Sequence, residues 1–374
     1  MKEYARYLER AAGITQREQE TLSVKHRERK TMKAMVLEKV SPIESKPLKL
    51  VELPRPVPGR HQILVRISAC GVCHTELDEI EGRVPPSTFP MILGHEIVGR
   101  VESLGPEATK FKRGDRVGIA WINWACGTCS FCLNGEENLC EAAKWTGKDV
   151  DGGYAEYTVI SEDFAYPIPE RFTEVKAAPL LCAGVIGYRA LRLSGMENGK
   201  VLGLYGFGAS AHIVIQVARY KYPNAKVFVF TRPHQKQHQE LARKLGADWV
   251  GITSDTPPEK LNCAIDFTPV GVPVREALRN LQKGGRVIIN AIRKTTPIPE
   301  LDYVEHLWYE KELKSVANVT RRDAQEFLPL AAQIPIVPET QEFELEDANE
   351  ALVLLNEGKI RGAGVLRMAE PTSN

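Results

Sequence analysis

Val201-Leu-Gly-Leu-Tyr-Gly206-Phe-Gly208-Ala-Ser-Ala211-His212 decides the fold. Its first five residues read as a buried strand, two glycines turn the chain, and helical spacing follows. Such a turn leaves the amides at a helix N-terminus free to hold a pyrophosphate, and Gly208 lets the backbone approach it. Gly206, Gly208 and Ala209 are therefore candidate dinucleotide contacts. Ala211 replaces the third glycine of the usual fingerprint, a tolerated variant. The stretch from Val201 to Ala218 approaches bilayer-spanning length, but Gly203, Gly206, Gly208, His212 and Gln216 interrupt it.

Outward from this turn the alternation continues. Residues 201–205, 226–231, 248–252, 262–267, 286–291 and 313–318 are strand candidates, and 212–220, 237–245 and 274–281 carry helical spacing. Strands alternating with helices predict an α/β unit with a doubly wound parallel sheet. Between residues 33 and 166 the texture differs: short β-type runs (63–67, 97–101, 155–160) are divided by Gly and Pro turns, which predicts a barrel-like β domain. A helix over 345–357 and a strand over 364–368 are expected to rejoin that barrel. The parallel-sheet domain (184–319) is thus read as inserted into the barrel domain (32–183 and 320–374), behind a charged N-terminal extension, 1–31.

A chain of 374 residues exceeds one ordinary core, in keeping with two domains. Lys plus Arg (49) balance Asp plus Glu (48), so no global field recruits nucleic acid or an anionic membrane. Small-molecule chemistry is the class this leaves. The extension lacks the apolar core of a secretory leader and carries several glutamates, unlike a transit peptide. Eight cysteines are too sparse for a disulfide scaffold, and without a leader they indicate a reducing cytoplasm.

Four of these cysteines form the strongest local signal, Cys126-Gly-Thr-Cys129-Ser-Phe-Cys132 followed by Cys140. Four thiolates in one glycine-containing loop can enclose a tetrahedral ion with no position left for water, as in structural zinc sites. Disulfides are disfavoured in this setting and iron–sulfur spacings differ. Three further donors are dispersed: Cys73 in Cys70-Gly-Val-Cys73-His74-Thr75-Glu76, His95 in Gly94-His95-Glu96, and Cys182 in Leu180-Leu181-Cys182-Ala183-Gly184. Each alone reads as ordinary core; together they supply the two-Cys, one-His set of a catalytic zinc with an open fourth position. A metalloprotease is not indicated, because no second His follows His95-Glu96 at helical spacing.

After the second candidate strand an acidic residue would bind the ribose 2′-hydroxyl of NAD. Thr231 and Arg232 stand there, with Lys236 nearby, and suit a 2′-phosphate, so NADP is favoured over NAD. The bland alternative is that Arg232 and Lys236 are solvated loop charges.

From about Met32 to Arg367, the ordered motifs CGVCHTE, GHE, the four-cysteine lobe, DGGYAEY, LLCAG and the glycine turn resemble the zinc-containing alcohol dehydrogenases of the medium-chain dehydrogenase/reductase superfamily, in the bacterial branch related to cinnamyl alcohol dehydrogenases. The resemblance implies a GroES-like β-barrel catalytic domain, a Rossmann cofactor domain and a cleft between them. It implies two zinc ions per chain, one held by Cys73, His95 and Cys182 with Glu96 as an alternate ligand, the other by Cys126, Cys129, Cys132 and Cys140. Glu76 stands where the family usually has Asp contacting the ligand histidine. His74 and Arg361 match phosphate contacts, and Thr75 matches the group that takes the alcohol proton. Asp78 replaces the His at the outer end of the family's proton relay and is the candidate for that outer role, and Ile186 replaces a Thr near the nicotinamide. Asp78→Ala is therefore expected to change activity far less than Thr75→Ala. Trp121 and Ile122 match walls of an apolar pocket.

The expected reaction interconverts small-molecule alcohols, primary aliphatic or aromatic, with aldehydes or ketones by hydride transfer to and from NAD(P), in a homodimer or homotetramer, with no nucleic-acid or membrane partner. Two alternatives stand beside it: a polyol or sugar dehydrogenase of the same superfamily, and a non-catalytic zinc-stabilised binding or redox-sensing protein.

Overall fold

The computed structural model describes residues 31–334, 336–360 and 362–369. Arg361 and residues 1–30 of the extension lie outside the described residues. Six parallel strands, Val201–Tyr205, Lys226–Thr231, Trp249–Ile252, Leu261–Asp266, Leu281–Ile289 and Glu312–Ser315, lie in the spatial order third, second, first, fourth, fifth, sixth. This is the Rossmann order. The inner strands are apolar on both faces because helices cover both. Val201–Tyr205 is buried at every position. Along the next strand Val227 and Val229 enter the main core, whereas Phe228 and Phe230 pack on the opposite face with Tyr205. Tyr205 and Phe230 stack with ring centres 4.1 Å apart. The helices Ala209–Lys221, Lys236–Lys244 and Val272–Asn280 supply crossovers within two or three residues of their predicted ends.

The barrel is built around Gln62–Val72, an 11-residue strand. It pairs antiparallel with Ile97–Leu104, Tyr157–Ser161 and the late strand Ala363–Arg367. Register shifts near Leu64 and Ile67 bend it, as bulges do. The returning segment contributes Thr340–Glu344 and Ala363–Arg367 to the same sheet, the rejoining that the sequence predicts. Leu48–Pro54, Thr31–Leu37 and Met91–Ile92 form a second, three-stranded sheet.

The expected helix over 345–357 opens as a 3-10 turn and is α-helical from Ala348 to Asn356. Two site-bearing helices went unanticipated, His74–Ile80 and Ala183–Leu193. The first is too short for a periodic signal, and glycines at 184 and 187 obscure the second. No described helix is long and apolar enough to cross a membrane.

Candidate functional site

The strand Gln62–Val72 runs into the helix His74–Ile80, and Cys73 stands between them at the N-cap. Glu76 Oε2 accepts the Cys73 N–H at 2.8 Å, closing a capping box. The other oxygen, Oε1, lies 2.6 Å from His95 Nδ1, and both side chains are buried. On the opposite edge of the ring, His95 Nε2 is buried without a hydrogen-bond partner. Cys73 and Cys182 bring their sulfurs to 3.8 Å. Cys73, His95, Glu96 and Cys182 each offer a donor atom within 4.8 Å of the others.

The contact with Cys182, assisted by His95, holds Cys73 well below the ordinary thiol range, and the same contact raises Cys182. Burial opposes a charged His95, yet Glu76 and Cys73 outweigh it and lift His95 well above its ordinary value. Burial raises Glu96. A Cβ on Gly71 would stand 2.0 Å from Glu96 Oε2, so glycine there makes room for the carboxyl. Two sulfurs and an orphaned imidazole nitrogen converging in a buried spot fit a zinc ion with an open position.

Cys126, Cys129, Cys132 and Cys140 also converge within 4.8 Å, all with free thiols. The N–H groups of Thr128 and Cys129 donate to Cys126 Sγ at 3.5 and 3.3 Å and lower that thiol to about 5. Only short helical segments surround the four sulfurs, and Phe131, Leu133 and Leu139 are exposed. The lobe has little core of its own, which suits a fold held by a metal.

Cys73 and Cys182 open on a cleft of about 930 Å³ between barrel and parallel sheet. Across it lies the glycine turn, at the switch point between the first and fourth parallel strands. Gly206 turns with φ at +83°, and a Cβ on Gly208 would meet nothing within 4 Å. The helix Ala209–Lys221 lacks a side-chain cap, so its first amides remain available to an anion lying against Gly208 and Ala209. Thr231, Arg232, Gln235, His238 and Thr253 line the same cleft. No carboxylate lines it among the described residues. Lys236 is exposed and does not line it.

His74 and Thr75 line the cleft, with Thr75 Oγ1 3.6 Å from Cys73 Sγ. Asp78 does not; it is fully buried, with Arg83 Nε at 2.5 Å and Arg293 Nε at 3.0 Å from one oxygen.

The pattern of a GroES-like alcohol dehydrogenase domain matches residues 59–170. A probable alcohol dehydrogenase of Mycobacterium tuberculosis is 43% identical over 343 residues, spanning 90% of this chain and 97% of that protein. The chain belongs to the zinc-type alcohol dehydrogenases. It is accordingly an oxidoreductase that interconverts alcohols and carbonyl compounds. An alcohol dehydrogenase of Geobacillus stearothermophilus is 37% identical, covering 90% of this chain and 100% of its own. Among solved structures, a cinnamyl alcohol dehydrogenase of Sorghum bicolor superposes with a TM-score of 0.78 at 27% identity, over 90% of this chain and 98% of that one.

In this alcohol dehydrogenase the end of the cleft beside the sulfurs is apolar. Trp121 lies 5.8 Å from the His95 ring and 5.5 Å from Trp145. Both tryptophans line the cleft with Leu181, Ile186 and Val319. Ile122 is buried in the barrel core and does not reach the cleft. Sequence reasoning missed Trp145 and His238. The tryptophan joins the site through the pairing of Ile122–Trp124 with Lys144–Trp145, which no local pattern announces. The histidine stands in the first turn of the helix Lys236–Lys244, six residues after Arg232, where a reading of the helix start could have placed it.

Proposed function

We propose that this chain is a zinc-dependent alcohol dehydrogenase that prefers NADP and acts on primary aliphatic or aromatic alcohols and their aldehydes. The observation that carries the proposal is the convergence of Cys73, His95 and Cys182 on one wall of a cleft whose other wall is an uncapped helix N-terminus. These three residues would hold the catalytic zinc, with Glu96 as alternate ligand, and the four-cysteine lobe a second, structural zinc. Zinc, when bound, supplies a Lewis acid for the alcohol or carbonyl oxygen. Glu76 Oε1, facing His95 Nδ1 at 2.6 Å, would orient the ring, and Thr75 Oγ1 would exchange the substrate's hydroxyl proton. Trp121 and Trp145 exclude water and favour apolar or aromatic substrates over polyols. His74, Gly206, Gly208 and Ala209 would hold the pyrophosphate, and Arg361 is a further phosphate contact by family resemblance. Assaying an alcohol panel at the reduced-nicotinamide absorbance band, with metal analysis, tests this reading. Two zinc ions and turnover are expected; one zinc without hydride transfer would overturn it.

Thr75→Ala should lower kcat/KM about 100-fold, within the range of general acid–base contributions, while Thr75→Ser should retain most activity. Equal losses in both variants would remove the hydroxyl from the proton path.

The NADP preference rests on the carboxylate-free cleft end, where Arg232 is the cation beside Thr231 and a His238 ring that burial and Arg232 hold toward its neutral form, with Lys236 alongside. A relative in structure, the cinnamyl alcohol dehydrogenase of Helicobacter pylori, carries NADP(H) in its crystal structure; it matches with a TM-score of 0.79 at 25% identity over 91% of this chain and 98% of its own. Arg232→Ala should raise the KM for NADP about 10- to 100-fold, as loss of a charge-assisted bond does, and leave NAD almost unaffected. A parallel rise for NAD would remove Arg232 from the 2′-phosphate.

The division at residues 183 and 320 is supported by the return of the chain to the barrel sheet. For the oligomer we favour a homodimer through the sheet edge at Glu312–Ser315. All four of its residues are exposed, and Tyr303, Val304, Trp308 and Tyr309 form an exposed apolar patch beside it. Light scattering should give twice the chain mass and, for Trp308→Glu with Leu313→Glu, the mass of one chain; an unchanged mass would rule this edge out. Eight unpaired thiols suit a reducing cytoplasm.

A further inference from the structure

We propose that Asp78 and Arg293 form an ion-pair latch that ties together the two walls of the cleft, which positions the loop on its cofactor side. The proposal rests on the reading that this cleft holds the dinucleotide. Asp78 lies one turn beyond His74 and Thr75 on the helix that forms the barrel-side wall. Arg293 belongs to the loop leaving the fifth parallel strand, where Asn290, Ala291 and Ile292 line the opposite wall. Neither side chain lines the cleft itself; they meet beside it, joining the elements that form its two walls, at 3.0 Å.

The surroundings suit a latch. The next residue, Lys294, bonds the Asp266 carboxylate and, at 2.6 Å, the Thr268 carbonyl at the end of the fourth strand. Lys294 thus anchors the loop to its own sheet while Arg293 anchors it to the barrel. On the barrel side Arg83 holds the same Asp78 oxygen and also bonds Glu81 and the Leu77 carbonyl. Asp78 is thereby presented as a preorganised, fully buried carboxylate, for which a charged partner matters most. Because it does not line the cleft and both guanidiniums engage it, Asp78 is a positioning residue and carries no substrate proton.

An ion pair formed only when loop and barrel approach favours the closed cleft, and by linkage it must strengthen whatever binds that form better. The test uses the zinc-loaded enzyme titrated with NADPH, followed by nicotinamide fluorescence, alongside steady-state kinetics. Arg293→Gln should weaken NADPH binding about tenfold, the size expected for loss of one close ion pair, and raise cofactor KM more than it lowers kcat. Arg293→Lys should recover most of the loss. Asp78→Asn should add little to Arg293→Gln in the double variant. If Asp78→Asn does not fold, the Gln and Lys variants at 293 decide alone. Unchanged NADPH affinity in Arg293→Gln, failure of Arg293→Lys to recover, or additive losses in the double variant overturns the latch while leaving the dinucleotide site intact. Failure of the wild type to bind NADPH or NADH overturns that underlying reading and the latch with it.

Discussion

Replacing Cys129 or Cys132 with serine, or stripping the lobe with a chelator, is expected to melt residues 126–140 and cost the chain about 3 kcal/mol or more. The physical reason is that the segment has little apolar packing of its own. Phe131, Leu133 and Leu139 face solvent, and the helical segments Ser130–Leu133 and Glu137–Leu139 are too short to stand alone. Metal binding to four thiolates would then be the main source of local folding free energy. The damage should reach the active cleft. Asn138 Nδ2 donates to the Ala317 carbonyl at 2.6 Å, and Glu137 accepts from the Arg321 backbone and side chain at 2.9 and 3.0 Å. Asn138 and Ala317 both line the cleft, so a melted lobe loosens its wall. Thermal unfolding and amide exchange with and without chelator check this. Unchanged melting, with protection retained over 126–140, would show that the lobe folds without its metal.

How far the sequence revealed this molecule depends on the range of the interactions concerned. The parallel sheet was legible because its inner strands are short apolar runs closed by turn residues, and Val201–Tyr205 and Lys226–Thr231 match their predicted ends. The sixth strand stops at Ser315, three residues early, because Val316 to Val319 turn to line the cleft. The metal-ligand candidates were legible as residue types, but the convergence of Cys73, His95 and Cys182 depends on contacts between distant segments. Arg293 was invisible for the same reason: an arginine in a loop reads as solvated charge until the buried Asp78 appears opposite it. Glu76 lay between these cases, since the motif placed it near the ligand histidine while its reach to the backbone of Cys73 needed the capping geometry.

That double role makes Glu76 the residue whose replacement should be felt most strongly without removing a ligand. One oxygen accepts from the Cys73 N–H and the other faces His95 Nδ1, so both contacts require an acceptor. Glutamine cannot provide two. If its NH2 faces Cys73, two donors oppose each other in a buried site. If it faces His95, Nδ1 must accept and the ring proton moves to Nε2, the nitrogen needed for the metal. Either arrangement weakens the site, so Glu76→Gln should lower zinc affinity about 10- to 100-fold, with kcat/KM falling at least as far at limiting zinc. Glu76→Ala should do the same or worse, because it also removes the cap from the helix that carries Thr75. Glu76→Asp, one methylene shorter, retains two acceptor oxygens and should recover most of the affinity by keeping the His95 contact. Competition of each variant with a chromogenic zinc chelator measures the series, and zinc affinity in Glu76→Gln equal to wild type would mean that Glu76 neither orients His95 nor fixes its tautomer.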